Sequence, residues 1–314
     1  MKNKERIMLV MSYLKENSDE QHKITAEQII NYLTKNHSIN VDRKTIYNDI
    51  NTLNNLGYSI ECTRQGYYWD NNIFEITELR ILIDAVRASS FLSAKKSDLM
   101  IEKLLSLTNC YERKLADSGD YNNTKTTNEQ IYYNIFNVIN AISKKQAITF
   151  KYYDLGVRKE KKYRKHDYEV FPLDLLINQD RYYMICYSKK YNGLNNYRID
   201  KMEQVELKDE YIDRVDFDVN EYMRQTFSMY PCDKTNVILK CHCSLIDEIY
   251  TRFDNKVLVT KIENDYYYCN IDISASQTFL GWLFSYNGKI IIEQPQILKD
   301  EFINMCKKMI ELHQ

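Results

Sequence analysis

The sequence predicts an α+β chain of several domains: a three-helix head with a β wing, a helical linker, a small β-barrel, and a closing α+β unit of ferredoxin-like order. Three observations predict it. Apolar residues recur at helical spacing through most of the first 144 residues, broken by one short strand pair. From Ala147 the period changes to two, and short strands follow at a spacing that suits a five-stranded barrel. Beyond Pro231 the order becomes strand, helix, strand, strand, helix, strand and a last helix. A chain of 314 residues also exceeds what one hydrophobic core serves.

The head spans residues 1–70. Ile7, Val10, Met11 and Leu14 share one face of a first helix, and Thr25 with Gln28 makes a capping box for a second carrying Ala26, Ile29, Ile30 and Leu33. Asp42 is the expected N-cap of a third helix, with Ile46, Ile50 and Leu53 as its buried stripe and Gly57 at its end. Lys44, Asn48, Asn51 and Asn55 lie opposite that stripe, flanked by Arg43 and Tyr47. Strands at Ser59 to Cys62 and Tyr67 to Trp69, joined by Thr63, Arg64, Gln65 and Gly66, outline a wing.

Such a third helix suits a DNA major groove, because asparagine pairs bidentately with adenine and lysine reaches phosphate or guanine. Arg64 at the wing tip would meet the phosphate backbone or the minor groove. The expected DNA-binding set is Arg43, Lys44, Thr45, Tyr47, Asn48, Asn51 and Arg64. Nine basic residues balance nine acidic ones over residues 1–70, so an interaction module with a polar face is the alternative.

Residues 71–144 read as a helical linker. Leu79, Leu82, Ile83 and Val86 recur first, then Leu99, Ile101, Leu104 and Leu105; an exposed loop is expected at Gly119 to Thr127, before a helix with Ile131, Ile135, Val138, Ile139 and Ile142. Residues 145–212 supply the barrel. Ile148, Phe150 and Tyr152 alternate with Thr149, Lys151 and Tyr153, and further strands are expected at Tyr163 to Pro172, Arg181 to Ser188, Tyr197 to Ile199 and Val205 to Leu207.

Charge is distributed unevenly along a chain that is nearly neutral as a whole. Residues 140–201 hold 14 Lys and Arg against 7 Asp and Glu, whereas residues 202–234 hold 4 against 9. The positive surplus therefore sits in the barrel, among tyrosines. Cations hold phosphates and tyrosine rings stack on bases, so Tyr152, Tyr168, Arg181, Tyr183, Arg198 and Lys201 are the expected ligand surface, with Lys151 as a further member. Asp200 is expected to brace Arg198 or its turn. The competing reading of any one tyrosine is a core residue with a satisfied hydroxyl.

After a linker at 213–234, residues 235–314 carry the closing unit, with strands at Val237 to Cys243, Lys256 to Ile262, Tyr266 to Ile273 and Lys289 to Glu293. Its helices are expected at Leu245 to Phe253 and Gln277 to Tyr286, capped by Ser244 and Ser274. Eight scattered cysteines without C-x-x-C spacing fit a reduced cytoplasm. Cys241 and Cys243 point away from His242 on an alternating strand, so no metal and no cofactor are expected. No apolar run approaches the roughly 20 residues of a bilayer helix, and the charged start carries no export signal, so no membrane partner is expected. The motifs G-x-x-x-x-G-K-[ST], H-E-x-x-H and G-x-S-x-G are absent, and His166 with Asp167 would alternate on a strand. The expectation is a protein that is not an enzyme, with phosphodiester processing as a remote alternative.

The segment RYYMICYSKKYNGLNNYRIDKM, Arg181 to Met202, resembles the hallmark of the WYL domain. In that family a Trp-Tyr-Leu triplet precedes an Arg-x-Phe-Arg-Leu-Asp-Arg-Ile type signature. Tyr182, Tyr183 and Met184 stand at the triplet here, and Tyr197, Arg198, Ile199, Asp200, Lys201 and Met202 at the signature, with Asn195 where the first Arg would be. DRKTIYNDINTLNNLGY is similar to the winged helix-turn-helix heading many WYL transcriptional regulators, with Asn48 in place of the usual Arg. FLGWLFSYNGKIIIEQPQILKDEF resembles the extension that closes many of them.

The resemblance implies an Sm- or SH3-type barrel and linker helices that help form a homodimer. It implies a transcriptional regulator whose winged head holds double-stranded operator DNA and whose barrel senses an anionic effector, a nucleotide or a short single strand. A barrel serving only oligomer assembly or a protein partner is the alternative.

Overall fold

The computed structural model describes residues 2–117, 124–213, 217–219, 222, 234–253 and 257–314. Part of the loop expected at Gly119 to Thr127, most of the 213–234 linker with Pro231, and Lys256 at the start of an expected strand lie outside them. The chain forms two compact units, Met1–Thr127 and Asn128–Gln314.

The first unit opens with α1 (Lys2–Asn17), α2 (Ala26–His37) and α3 (Arg43–Asn55). Thr25 accepts from Gln28 N–H while the Gln28 side chain accepts from Thr25 N–H, which satisfies two orphan amides at the start of α2. Asp42 caps α3 by accepting from Thr45 N–H at 2.8 Å. Val10, Leu14, Ile29, Leu33, Ile46, Ile50 and Leu53 pack into one core beneath the wing, β1 (Ile60–Thr63) and β2 (Gly66–Trp69). Thr63 pairs with Gly66, leaving Arg64 and Gln65 as the turn. Only glycine fits position 66. Its φ is +140°, and an added Cβ would stand 2.6 Å from the Ile24 carbonyl oxygen, whose strand-like bridge to Tyr67 fastens the wing to the head.

The rest of this unit contains α4 (Ile76–Ala88), α5 (Ala94–Leu105) and α6 (Cys110–Ala116), packed around Leu79, Ile83 and Ala116. Leu82 and Leu99, two of the recurring apolar residues, are exposed. Helices this small have room for a narrow stripe only.

The second unit begins with α7 (Gln130–Lys144), followed by β3 (Gln146–Leu155), β4 (Lys161–Tyr163), β5 (Tyr168–Asn178), β6 (Arg181–Ser188), β7 (Gly193–Arg198) and β8 (Met202–Tyr211). The antiparallel sheet runs β4-β3-β5-β6-β7, with β8 also on β3, and curls into a half-barrel. Its concave core holds Ile148, Phe150, Tyr152, Tyr168, Val170, Met184, Cys186, Tyr197 and Met202, against which α7 packs Ile131, Val138 and Ala141. Ile139 of α7, one of the apolar residues on that helix, is exposed. Six strands replace the expected five because the segment expected as one strand from Tyr163 to Pro172 divides in two. Residues 164–167 form the bend between β4 and β5, so His166 and Asp167 are not strand neighbours.

Further along come β9 (Lys234–His242), α8 (Ile246–Phe253), β10 (Leu258–Glu263), β11 (Tyr266–Ser274), α9 (Gln277–Ser285), β12 (Ile290–Gln294) and α10 (Gln296–Leu312). The sheet order β10-β11-β9-β12 with every pair antiparallel is ferredoxin-like. Ser276, not Ser274, caps α9 by accepting from Phe279 N–H at 3.4 Å, because β11 runs through Ser274. Ser244 lies in a 3-10 turn, Cys243–Leu245, ahead of α8. Among the described residues, no helix is long and apolar enough to cross a membrane.

Candidate functional site

The third helix of the head exposes Lys44, Asn48, Asn51 and Asn55 along one face, because they recur at i, i+4, i+7 and i+11 opposite the buried Ile46, Ile50 and Leu53. Arg43 is exposed and pairs with Glu27 at 3.4 Å across α2 and α3, whereas Thr45 is half-buried behind the Asp42 cap. Tyr47 is exposed and meets the wing edge-on, its ring centroid 6.1 Å from that of Tyr67. Arg64 is exposed at the wing tip.

What holds this face in place was not visible in the helix pattern. Asp49, only 3% exposed, receives two hydrogen bonds from the Arg6 guanidinium of α1, at 2.7 Å and 2.9 Å. That bidentate pair ties α3 to α1, and its hydrogen bonds raise the Arg6 pKa above the ordinary value. The Asn54 amide exchanges hydrogen bonds with the backbone of Ile60, at 3.0 Å and 2.9 Å, fixing the passage from α3 into the wing. Ser18 Oγ donates to the Leu14 carbonyl and accepts from Trp69 N–H, which ties the other wing strand to α1.

In the half-barrel, strand alternation separates the expected ligand residues. Tyr152 and Tyr168, each 7% exposed, turn inward, where Phe150 and Tyr197 crowd both rings. They are core residues and offer no free face for stacking. The Tyr152 hydroxyl accepts from Arg198 N–H at 3.2 Å, and burial pushes its pKa up to about 12. On the other face Tyr183 stands directly across from Arg198, beside Leu176 and Ile185.

Four of the cations converge on two carboxylates. Asp200 receives Arg198 at 3.0 Å and 2.7 Å and lies 3.7 Å from Arg181; Asp154 receives Arg164 and Lys201, each at 3.1 Å. Burial opposes the charge of Arg198, but the hydrogen bonds and charge of Asp200 outweigh it and hold its pKa above the ordinary value. The Arg164 hydrogen bond, followed by that of Lys201, holds the Asp154 carboxyl below its usual range. Four positive charges against two negative ones leave a local surplus of two, carried by side chains already fixed in direction.

Arg164 carries no mark in the sequence that sets it apart from its basic neighbours Lys161, Lys162 and Lys165. Its guanidinium donates to the Tyr168 hydroxyl at 3.2 Å and lies 4.8 Å from the Tyr152 ring centroid. Lys151 is exposed on β3, directly opposite Glu203.

The signature residues Ile199–Lys201 form a 3-10 turn between β7 and β8. Asn134, fully buried on α7, donates to the carbonyls of Ile199 at 3.2 Å and Met202 at 2.7 Å. Tyr153 donates to the Asp200 carbonyl at 2.8 Å. These two side chains set the direction of the Asp200 carboxylate, and through it that of Arg198. Among the described residues, no three His, Cys, Asp or Glu side chains form a group that could hold a metal ion.

Comparison with known proteins gives two family matches: an HTH domain over residues 14–68 and a WYL domain over residues 134–207. No curated protein matches the chain. Among solved structures, it is similar to proteasome accessory factor B/C (PafBC) of Arthrobacter aurescens, with 16% identity, a TM-score of 0.31 and coverage of 95% of this chain. It spans about half of that protein, 47% of its length. A CRISPR Cas-related protein is matched at 12% identity and a TM-score of 0.41, over 98% of this chain and 85% of that one. The two domains support a DNA-binding transcriptional regulator, and the chain matches a WYL-domain transcriptional regulator with a winged helix-turn-helix head.

Proposed function

We propose that this regulator binds operator DNA through α3 and the wing, and that an anionic effector at the rim of the half-barrel modulates that binding. The observation that carries the DNA reading is the polar face of α3, Lys44, Asn48, Asn51 and Asn55, exposed beside the wing tip Arg64 within the matched HTH domain. Asn48 and Asn51 read adenine edges, Lys44 reads guanine or phosphate, and Arg43, Thr45, Tyr47 and Arg64 position the head.

The effector reading rests on the cation cluster. Arg164, Arg181, Arg198 and Lys201 share Asp154 and Asp200, so a phosphate displaces a carboxylate contact instead of meeting undirected lysines. Tyr183, across from Arg198 and half-buried against the cluster of Leu176, Ile185, Phe217, Val219 and Tyr222, is the expected tyrosine on the Arg198 face. A nucleotide or a short single strand fits this chemistry. The regulator acts without catalysis, in the cytoplasm, as a homodimer whose geometry sets half-site spacing, and effector binding shifts the preferred spacing of its heads. Its working parts are the head at 1–70, the helical region at 71–144, the half-barrel at 145–212 and the closing unit at 235–314.

Titration of a labelled nucleoside monophosphate or short oligonucleotide against wild type and Arg198→Ala tests the effector reading. Binding that weakens with Arg198→Ala supports it, whereas no binding by wild type overturns it. A second reading has its own observation: Tyr132, Tyr133, Phe136 and Ile139 on α7 are all at least half exposed, an apolar face suited to assembly. Under that reading, their replacement by polar residues changes the oligomeric state and Arg198→Ala changes nothing.

A further inference from the structure

The closing unit carries a second surface that neither the head nor the half-barrel uses. All three of its helices deliver buried side chains to one face of the sheet: Ile249 and Phe253 from α8, Phe279 and Leu283 from α9, and Leu298 from α10. Val237, Leu239, Cys241, Tyr267, Cys269 and Ile271 meet them there. Strand alternation sends Tyr266 and Tyr268 of β11, with Lys240 and His242 of β9, to the opposite face, and all four are half-buried.

These four side chains form one ordered group. Tyr266 is paired with His242 across the strands, and Tyr268 with Lys240. The Lys240 ammonium lies 5.2 Å from the Tyr266 centroid and 5.6 Å from that of Tyr268, and the His242 ring meets Tyr266 edge-on at 5.2 Å. Two rings two residues apart on a strand are separated by about 7 Å, a spacing that serves neighbouring bases splayed along an extended chain. On the same face Asn236 donates to Asp272 at 2.7 Å, and Glu263 of β10 stands directly across from Tyr266.

We infer that this open sheet face binds single-stranded nucleic acid, Tyr266 and Tyr268 stacking on two unpaired bases and Lys240 holding the phosphate between them. A sheet with aromatic rings on a central strand can stack bases that are already unpaired, and a duplex hides those bases. A cation shared by both rings complements a phosphate bridging two stacked bases. Apolar side chains on this face include Ile238, Ile291 and the exposed Leu258.

The test uses the full chain with labelled oligo(dT) and oligo(U), because the base-stacking chemistry does not distinguish the two sugars. Ultraviolet crosslinking followed by peptide mapping should place either strand on β11. Tyr266→Leu with Tyr268→Leu should weaken that strand's affinity by roughly tenfold or more, while Tyr266→Phe with Tyr268→Phe should retain it. Lys44→Ala with Asn48→Ala should leave it unchanged, which separates this surface from the head. Absence of crosslinks on β11 in the wild-type chain overturns the proposal whether or not the leucine variant folds. So does a folded leucine variant that keeps its affinity, or one that alters only the oligomeric state.

Discussion

The winged head and the half-barrel present their candidate residues under opposite constraints. On α3 a regular helix separates an apolar stripe from a polar one, so Lys44, Asn48, Asn51 and Asn55 reach solvent together. In the half-barrel, successive residues of a strand go to opposite faces and the concave side must be filled. Tyr152, Tyr168 and Tyr197 therefore become the core, while Tyr183 and Arg198 face the other way. Residue type and spacing suffice to read a surface helix; in a small curled sheet the face taken by each ring decides its role.

The comparison is sharpest where each region depends on one buried polar contact. Arg6→Ala leaves the Asp49 carboxylate buried without its guanidinium, and the head should lose about 3–5 kcal/mol of stability. Chemical denaturation followed by circular dichroism measures it. Asn134→Ala strips the donor from two buried carbonyls at the 3-10 turn and should cost about 1–3 kcal/mol, with weaker effector binding because Asp200 and Arg198 lose their fixed direction. Retained stability in either variant would mean that the contact is not what orders its region.

A smaller effect separates charge from shape at the rim. Asp154→Asn removes a carboxylate that competes for Arg164 and Lys201, so affinity for a phosphodiester probe should rise a few-fold at low salt, by calorimetry. The same pairing makes stability depend on acidity. The folded-state pKa of Asp154 is depressed by Arg164 first and Lys201 next, and that of Glu203 by Lys161 first and Tyr163 next. Their contribution is present above the unfolded carboxylate values of about 4 and is lost as the pH falls through the depressed folded values. The smallest effect is that of Tyr152→Phe, which should cost about 1 kcal/mol through the lost Arg198 N–H contact and leave ligand affinity nearly unchanged. A large loss of affinity would restore Tyr152 to the binding surface.

Local rules made much of the architecture legible. The Thr25 and Gln28 capping box, the Asp42 cap, the wing turn and the strand at Arg181 to Ser188 each follow from a few neighbouring residues. The bend at residues 164–167 was not legible, because Arg164, Lys165, His166 and Asp167 include neither glycine nor proline to mark it. Long-range contacts were hidden for a different reason. Asp49 needs Arg6, Asn134 needs the turn at Ile199 to Met202, and Tyr153 needs Asp200, and each pair is separated by more than 40 residues. Sequence spacing places a side chain on a helix or strand but not against a partner that far along the chain. The two carboxylates that organise the rim are likewise recognisable only once β3 and the 3-10 turn have met.

The most direct test of the account is the affinity of the full chain for a duplex carrying its own promoter, measured by fluorescence anisotropy for wild type and for Lys44→Ala with Asn48→Ala. Loss of a base contact costs about 1–3 kcal/mol, so the double variant should bind at least roughly tenfold more weakly while its circular dichroism and melting stay as in wild type. An unchanged affinity in the folded double variant would contradict the assignment of α3 as the DNA-reading helix.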